Sequence, residues 1–207
     1  MSHAQGRFAR LYIPAMDSFE PASLNEWDTW LNENGQRSAS IWLVLGKQGS
    51  GLPVLDRTEL IKTALTHGWI DSLPNKIDAR RYKLRFSPRN PRSNWSAVNK
   101  AYIAELEAAE RMQPAGKAMV DLAKQTGTWT ALDNVDALVV EGDLAAAFAK
   151  TPGSRAQWEA FPRSVKRGQL EQIYTAKRPA TRAKRIAEVV SKAAIGERAF
   201  AWDGPKS

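Results

Sequence analysis

Five consecutive apolar residues, Ile41-Trp42-Leu43-Val44-Leu45, constrain this chain more than any other feature. The run is rich in β-branched and aromatic side chains and lacks polar alternation, so it reads as a central strand covered on both faces. Such a strand needs helices to cover it, and the flanking segments supply them. Ser23 and Glu26 form a Ser-x-x-Glu capping box around Leu24, Trp27, Trp30 and Leu31 at helical spacing, with Gly35 as the stop. Asp56 and Glu59 open a second helix along Leu60, Ile61, Ala64 and Leu65, which ends at Gly68.

A further strand is predicted at Trp69 to Leu73, a turn at Pro74-Asn75, and an alternating strand over Ala79 to Phe86. The alternation places Arg81, Lys83 and Arg85 on one face and Tyr82, Leu84 and Phe86 on the other, giving a hairpin with a basic outer face. Lys47-Gln-Gly-Ser-Gly51 lacks the spacing of a phosphate loop and reads as a turn. Pro88 and Pro91 break regular structure, after which Ser96 can cap a long helix with Val98, Tyr102, Leu106 and Ala109 facing a core. Helical segments follow at Met112 to Gly127, Leu144 to Lys150, Ser154 to Phe161, Ser164 to Ala176 and Pro179 to Ile195, separated by Gly or Pro. The predicted class is α+β: a small mixed sheet with packed helices over residues 1–110, then a helical region over 111–207, with Trp129 to Gly142 as a linker.

Charge is the next constraint. The chain carries a net +8, but Lys76 to Arg92 holds seven basic residues against Asp78 alone, and Arg163 to Arg185 holds eight against Glu171 alone. Everything outside these two segments is net acidic. Segregation of this kind predicts a small anionic ligand or an acidic partner, with nucleic acid as a further possibility, although a solvated basic face would look the same in sequence. No run approaches the roughly 18 apolar residues of a membrane helix. Met1 to Pro14 lacks an apolar stretch with a cleavage site, so the expected compartment is the cytoplasm, without membrane insertion. Absence of cysteine removes thiolate chemistry, and two histidines, His3 and His67, leave little for a transition-metal site; no metal or cofactor is expected.

The candidate site lies around the hairpin and its exit loop: Trp69, Asp71, Arg85, Arg89, Arg92, Ser93, Asn94 and Trp95. Arginine forks suit carboxylate or phosphate, Ser93 and Asn94 add hydrogen bonds, and the two indoles offer stacking faces. The alternative is that both tryptophans are core and the arginines solvated. His67, Asp71 and Ser93 have the side chains of a nucleophilic triad, but His67 would sit at a helix C-terminus in a structural role, and Asp71 could equally pair with a hairpin arginine. An enzyme on a small anionic substrate, with His67 or Asp71 as acid or base, is an alternative reading, and no catalytic residue is assigned. A second basic site is Arg178, Arg182 and Arg185 near the start of the last helix, where cations oppose the helix dipole. Either an anion compensates them or a carboxylate from elsewhere, such as Glu171 or Glu188, does so.

The strings Gly68-Trp-Ile-Asp71, Arg85-Phe-Ser-Pro-Arg89 and Arg92-Ser-Asn-Trp-Ser96, within Ile41 to Asn99, together with Thr175-Ala-Lys-Arg-Pro-Ala-Thr-Arg-Ala-Lys-Arg-Ile186, resemble the YdeI/OmpD-associated (OmdA) family of bacterial proteins. The resemblance implies a role in bacterial stress resistance or in protection against bacteriocins and antimicrobial peptides. It implies no reaction.

Overall fold

A computed structural model describes residues 18–200. Met1 to Pro14, read above for an export signal, and His3 lie outside the described residues. The chain divides into two compact units: residues up to 93 joined by Val98–Thr126, and Asn94–Ala97 joined by residues from 127 onward.

The first unit opens with β1 (Ser18–Phe19) and α1 (Leu24–Asn34). Ser23 caps α1 by accepting the Glu26 N–H at 3.2 Å, while the Glu26 carboxylate reaches back to the Ala22 N–H at 3.0 Å, so the predicted capping box is present with its return bond shifted by one residue. The chain continues through β2 (Ile41–Gly46), α2 (Arg57–Thr66), β3 (Trp69–Asp71), β4 (Asn75–Lys76) and β5 (Arg81–Pro88). Asp56 caps α2 through the Glu59 N–H at 3.0 Å, and Gly68, at φ +76°, turns the chain from α2 into β3 in the left-handed conformation that glycine adopts without strain. The sheet order is β1-β2-β5-β3, with β4 also on β5. β1 runs parallel to β2 and the other pairings are antiparallel, which makes the sheet mixed and the fold α+β.

One face of this sheet is packed. Ile41, Leu43 and Leu45 of β2 and Leu84 and Phe86 of β5 bury themselves against Trp27 and Leu31 of α1, Leu60 and Ala64 of α2, and Trp69. Trp27 lies 5.0 Å from Phe86 and 5.5 Å from Trp30, ring centre to ring centre, and donates its indole N–H to the Leu60 carbonyl at 3.1 Å. The expectation that β2 is covered on both faces is not met: Trp42 and Val44, on the other face, are only half-buried. A continuous apolar run cannot reveal this, because it looks the same whichever face a helix covers.

α3 (Ala97–Ala108) and α4 (Pro114–Thr126) come next. α3 buries Ile103 and Leu106, whereas Val98, expected inside, is 57% exposed, and Ala109 falls beyond the helix on the surface. The inward stripe is therefore rotated from the one read in sequence.

The second unit contains α5 (Asp133–Asp136), α6 (Gly142–Ala149), α7 (Ser154–Glu159), α8 (Arg163–Tyr174) and α9 (Pro179–Ala194). Its core joins Leu132, Val135, Leu144, Phe148, Trp158, Leu170, Ile173, Ile186, Val189, Val190 and Ala193. Leu132 and Val135 belong to this core, so the stretch read as a linker, Trp129 to Gly142, is folded. Its short apolar spacing is that of α5, too brief to register as a periodic pattern. Among the described residues no helix is long and apolar enough to cross a membrane.

Candidate anion-binding face

Pairing of β2 with β5 decides which side chains share a face. The register sets Trp42 opposite Arg85, Val44 opposite Lys83 and Gly46 opposite Arg81. Because residues directly opposite project to the same side of a sheet, the three cations of β5 stand beside Trp42 on the face that α1 and α2 leave uncovered. The Lys83 ammonium sits 4.4 Å from the centre of the Trp42 ring, at cation–π distance.

One end of this face is internally neutralised. Asp78 takes the Arg81 guanidinium at 2.9 and 3.0 Å and the backbone N–H groups of Arg80 and Arg81 at 2.8 and 2.7 Å. The Arg80 N–H first, and the Arg81 side chain next, hold the Asp78 carboxyl below its ordinary range. Lys47 donates to the Asp78 carbonyl at 2.6 Å, tying the Lys47–Gly51 turn to the same corner. Lys83 and Arg85 differ: neither reaches a carboxylate among the described residues. Two cations beside a flat ring, without a carboxylate partner among the described residues, can donate charge-assisted hydrogen bonds to phosphate or carboxylate oxygens.

The remaining predicted residues are dispersed. Trp69 is 1% exposed and donates to the Gly35 carbonyl at 3.1 Å; Trp95 is 2% exposed and packs on Trp129 in the second unit, with ring centres 5.0 Å apart. Neither indole presents a face to a ligand. Arg89 is buried too, its backbone N–H bonded to the Gly68 carbonyl at 2.9 Å, and burial pulls its guanidinium down to about 10. Arg92 is exposed, in a turn built by Asn90, whose side chain accepts the Arg92 N–H at 2.9 Å and whose carbonyl accepts the Ser93 hydroxyl at 2.7 Å. Asn94 is half-buried. Of the eight residues, Arg85 alone lies on the Trp42 face.

The formal triad is not assembled. His67 Nε2 meets Asp28 Oδ1 at 2.8 Å, Asp71 binds Arg57 at 2.9 Å instead of a hairpin arginine, and Ser93 is engaged with Asn90. No cluster of three or more His, Asp or Glu side chains suited to a metal ion occurs among the described residues.

In the second unit Arg182 finds carboxylates from the first turn of α6 and its N-cap residue, not from Glu171 or Glu188. Its guanidinium contacts Asp143 at 2.7 and 2.9 Å and Glu141 at 2.5 Å. Arg185 donates to the Gln172 carbonyl, and Arg178, at the N-cap of α9, is exposed. Glu171 instead pairs with Arg167 at 2.7 Å, which also holds Asp136. Arg182, Glu141 and Tyr174 border a shallow apolar pocket lined by Val135, Leu144 and Ile173.

Arg182 lowers the Asp143 carboxyl below its usual value, chiefly through the side-chain hydrogen bond. A carboxyl depressed in the folded state adds stability above its unfolded value and loses it as pH falls through the folded one. The second unit is therefore expected to lose stability below about pH 4. Arg182→Gln should flatten that part of the acid limb in thermal melts at successive pH values. Arg182→Glu, which gathers three carboxylates, should destabilise by about 1–2 kcal/mol at neutral pH, since these partly exposed groups are screened by solvent.

Comparison with known families divides the chain much as its contacts do. Residues 137–196 match the family described as bacteriocin-protection, YdeI or OmpD-associated (OmdA). This helical segment is OmdA-like. Residues 19–119 match a separate family, a domain of unknown function (DUF8412). The Thr175–Ile186 string lies inside the OmdA match, while the hairpin strings used for the same resemblance fall in the other family's span. No curated protein and no solved structure matched the chain. The OmdA match associates the helical segment with bacteriocin protection.

Proposed function

We propose that this protein acts in protection against bacteriocins or related antimicrobial peptides and that it does so by binding an anionic ligand on the Trp42–Lys83–Arg85 face. The OmdA-like segment supports the protective role. The placement of Lys83 and Arg85 together, without a carboxylate counterpart among the described residues, carries the binding role. Among the described residues Lys83 has the Trp42 ring in place of a carboxylate and Arg85 pairs with no carboxylate, and a bound anion would supply the opposite charge.

Two measurements separate the halves of this reading. Isothermal calorimetry with inorganic phosphate and linear polyphosphate should show binding that Lys83→Ala/Arg85→Ala weakens about tenfold or more, as loss of two charge-assisted bonds requires. Lys150→Ala, on an exposed α6 terminus, should leave it unchanged. Bacteria lacking the protein should survive bacteriocin challenge less well, and the wild-type chain should restore survival where the double variant does not. Equal survival with and without the protein would overturn the protective role, and unchanged binding by the double variant would overturn the site.

A further inference from the structure

We infer that the anion taken by the Trp42 face is single-stranded nucleic acid, with Trp42 stacking on a base and Lys83 and Arg85 holding successive phosphates. This rests on the anion-binding reading above and names its ligand. Three observations favour it. Lys83 and Arg85 alternate along β5, so their points of attachment are about 7 Å apart, a repeat suited to the phosphates of an extended single strand. The aromatic ring is on the same face as the cations because it comes from the neighbouring strand, at the position opposite Arg85. Ser18 opposite Trp42 and Asn75 opposite Lys83, on the flanking strands β1 and β4, and Ser87 on β5 are polar groups able to bond sugars and base edges, while Ile70 of β3, opposite Ser87, adds an apolar edge.

Lys83 occupies the ring in the ligand-free chain. A base arriving on Trp42 would displace the ammonium onto its own phosphate, exchanging a cation–π contact for an ion pair, so neither group is left uncompensated. Free phosphate or an acidic peptide would satisfy the cations but make no use of the ring. A duplex would offer phosphates with its bases already stacked on one another.

Fluorescence anisotropy of a labelled oligothymidylate with the full chain, at low and physiological salt, tests this. Binding should weaken linearly in log–log form as salt rises. Lys83→Glu/Arg85→Glu should abolish it, Trp42→Leu should weaken it about tenfold, and Trp42→Phe, which keeps a ring, should retain most of it. Circular dichroism confirms that each variant is folded, and the phenylalanine variant carries the test if the leucine variant is not. Duplex of equal length or poly-glutamate binding as tightly as the single strand would overturn the inference, as would polyphosphate binding with no effect of Trp42→Leu. In that last outcome the anion-binding reading stands; if neither oligothymidylate nor polyphosphate binds at low salt, both fall.

Discussion

Replacing Trp158 by alanine should cost the OmdA-like unit about 3–5 kcal/mol, the usual range for truncating a buried tryptophan. The side chain is 3% exposed and packs on Phe148 with ring centres 5.5 Å apart. Its indole N–H donates to Gln169 Oε1 at 2.8 Å, and the Gln169 amide in turn donates to the Ala199 carbonyl at 3.1 Å, so one side chain anchors α7 to α8 and to the segment after α9. Gln169 is itself 2% exposed, and losing the donor leaves its buried oxygen without a partner in addition to the cavity. Trp158→Phe keeps most of the packing and should cost only about 1–2 kcal/mol. Thermal unfolding reads the difference, since each kcal/mol moves a domain of this size by roughly 4–8 °C. A shift under about 2 °C for Trp158→Ala would contradict the core as described.

Gly116→Ala should be nearly as damaging, by about 3 kcal/mol, although alanine is the better helix former. Gly116 is buried where α4 passes the C-terminus of α2. A Cβ there would lie 2.2 Å from the Thr66 carbonyl oxygen and 2.7 Å from that of Leu65. Both obstacles are backbone, so no side chain can rotate away, and the helices must separate. The same carbonyl of Thr66 accepts the Gln113 N–H at 3.2 Å, a contact that separation would lengthen. Gly168 in α8 provides the contrast: a Cβ meets nothing within 4 Å, so Gly168→Ala should stabilise by about 0.5–1 kcal/mol through backbone entropy and helix propensity. Opposite signs for one substitution at two helical glycines, measured by urea unfolding, would establish that the α2–α4 contact governs Gly116. Equal effects would refute it.

The elements of this protein were legible wherever the information is local. Ser23 and Asp56 cap their helices because a hydroxyl or carboxylate accepts an N–H three residues on, a relation contained within a few residues of chain. The alternation of Leu84 and Phe86 with Lys83 and Arg85 is equally local, and the basic face it predicts is there. An aromatic-rich segment suggests stacking by Trp69 and Trp95, but both indoles are buried, and sequence alone does not say whether such a tryptophan faces water or a core.

What the tertiary structure decided is which distant residues meet. Trp42 joins the cations of β5 only because β2 and β5 pair in one register, and a slip of one residue would put it on the opposite face. Arg182 is compensated by Glu141 and Asp143, some forty positions earlier, instead of the nearer Glu171, because α6 and α9 pack together while Glu171 is taken by Arg167. Gly116 is indispensable only because α4 crosses α2 at that residue. Side-chain periodicity and capping are properties of a single segment and so are written in the sequence around them. Register, ion-pair partners and close backbone approach depend on how segments many residues apart come together, and only the folded chain settles them.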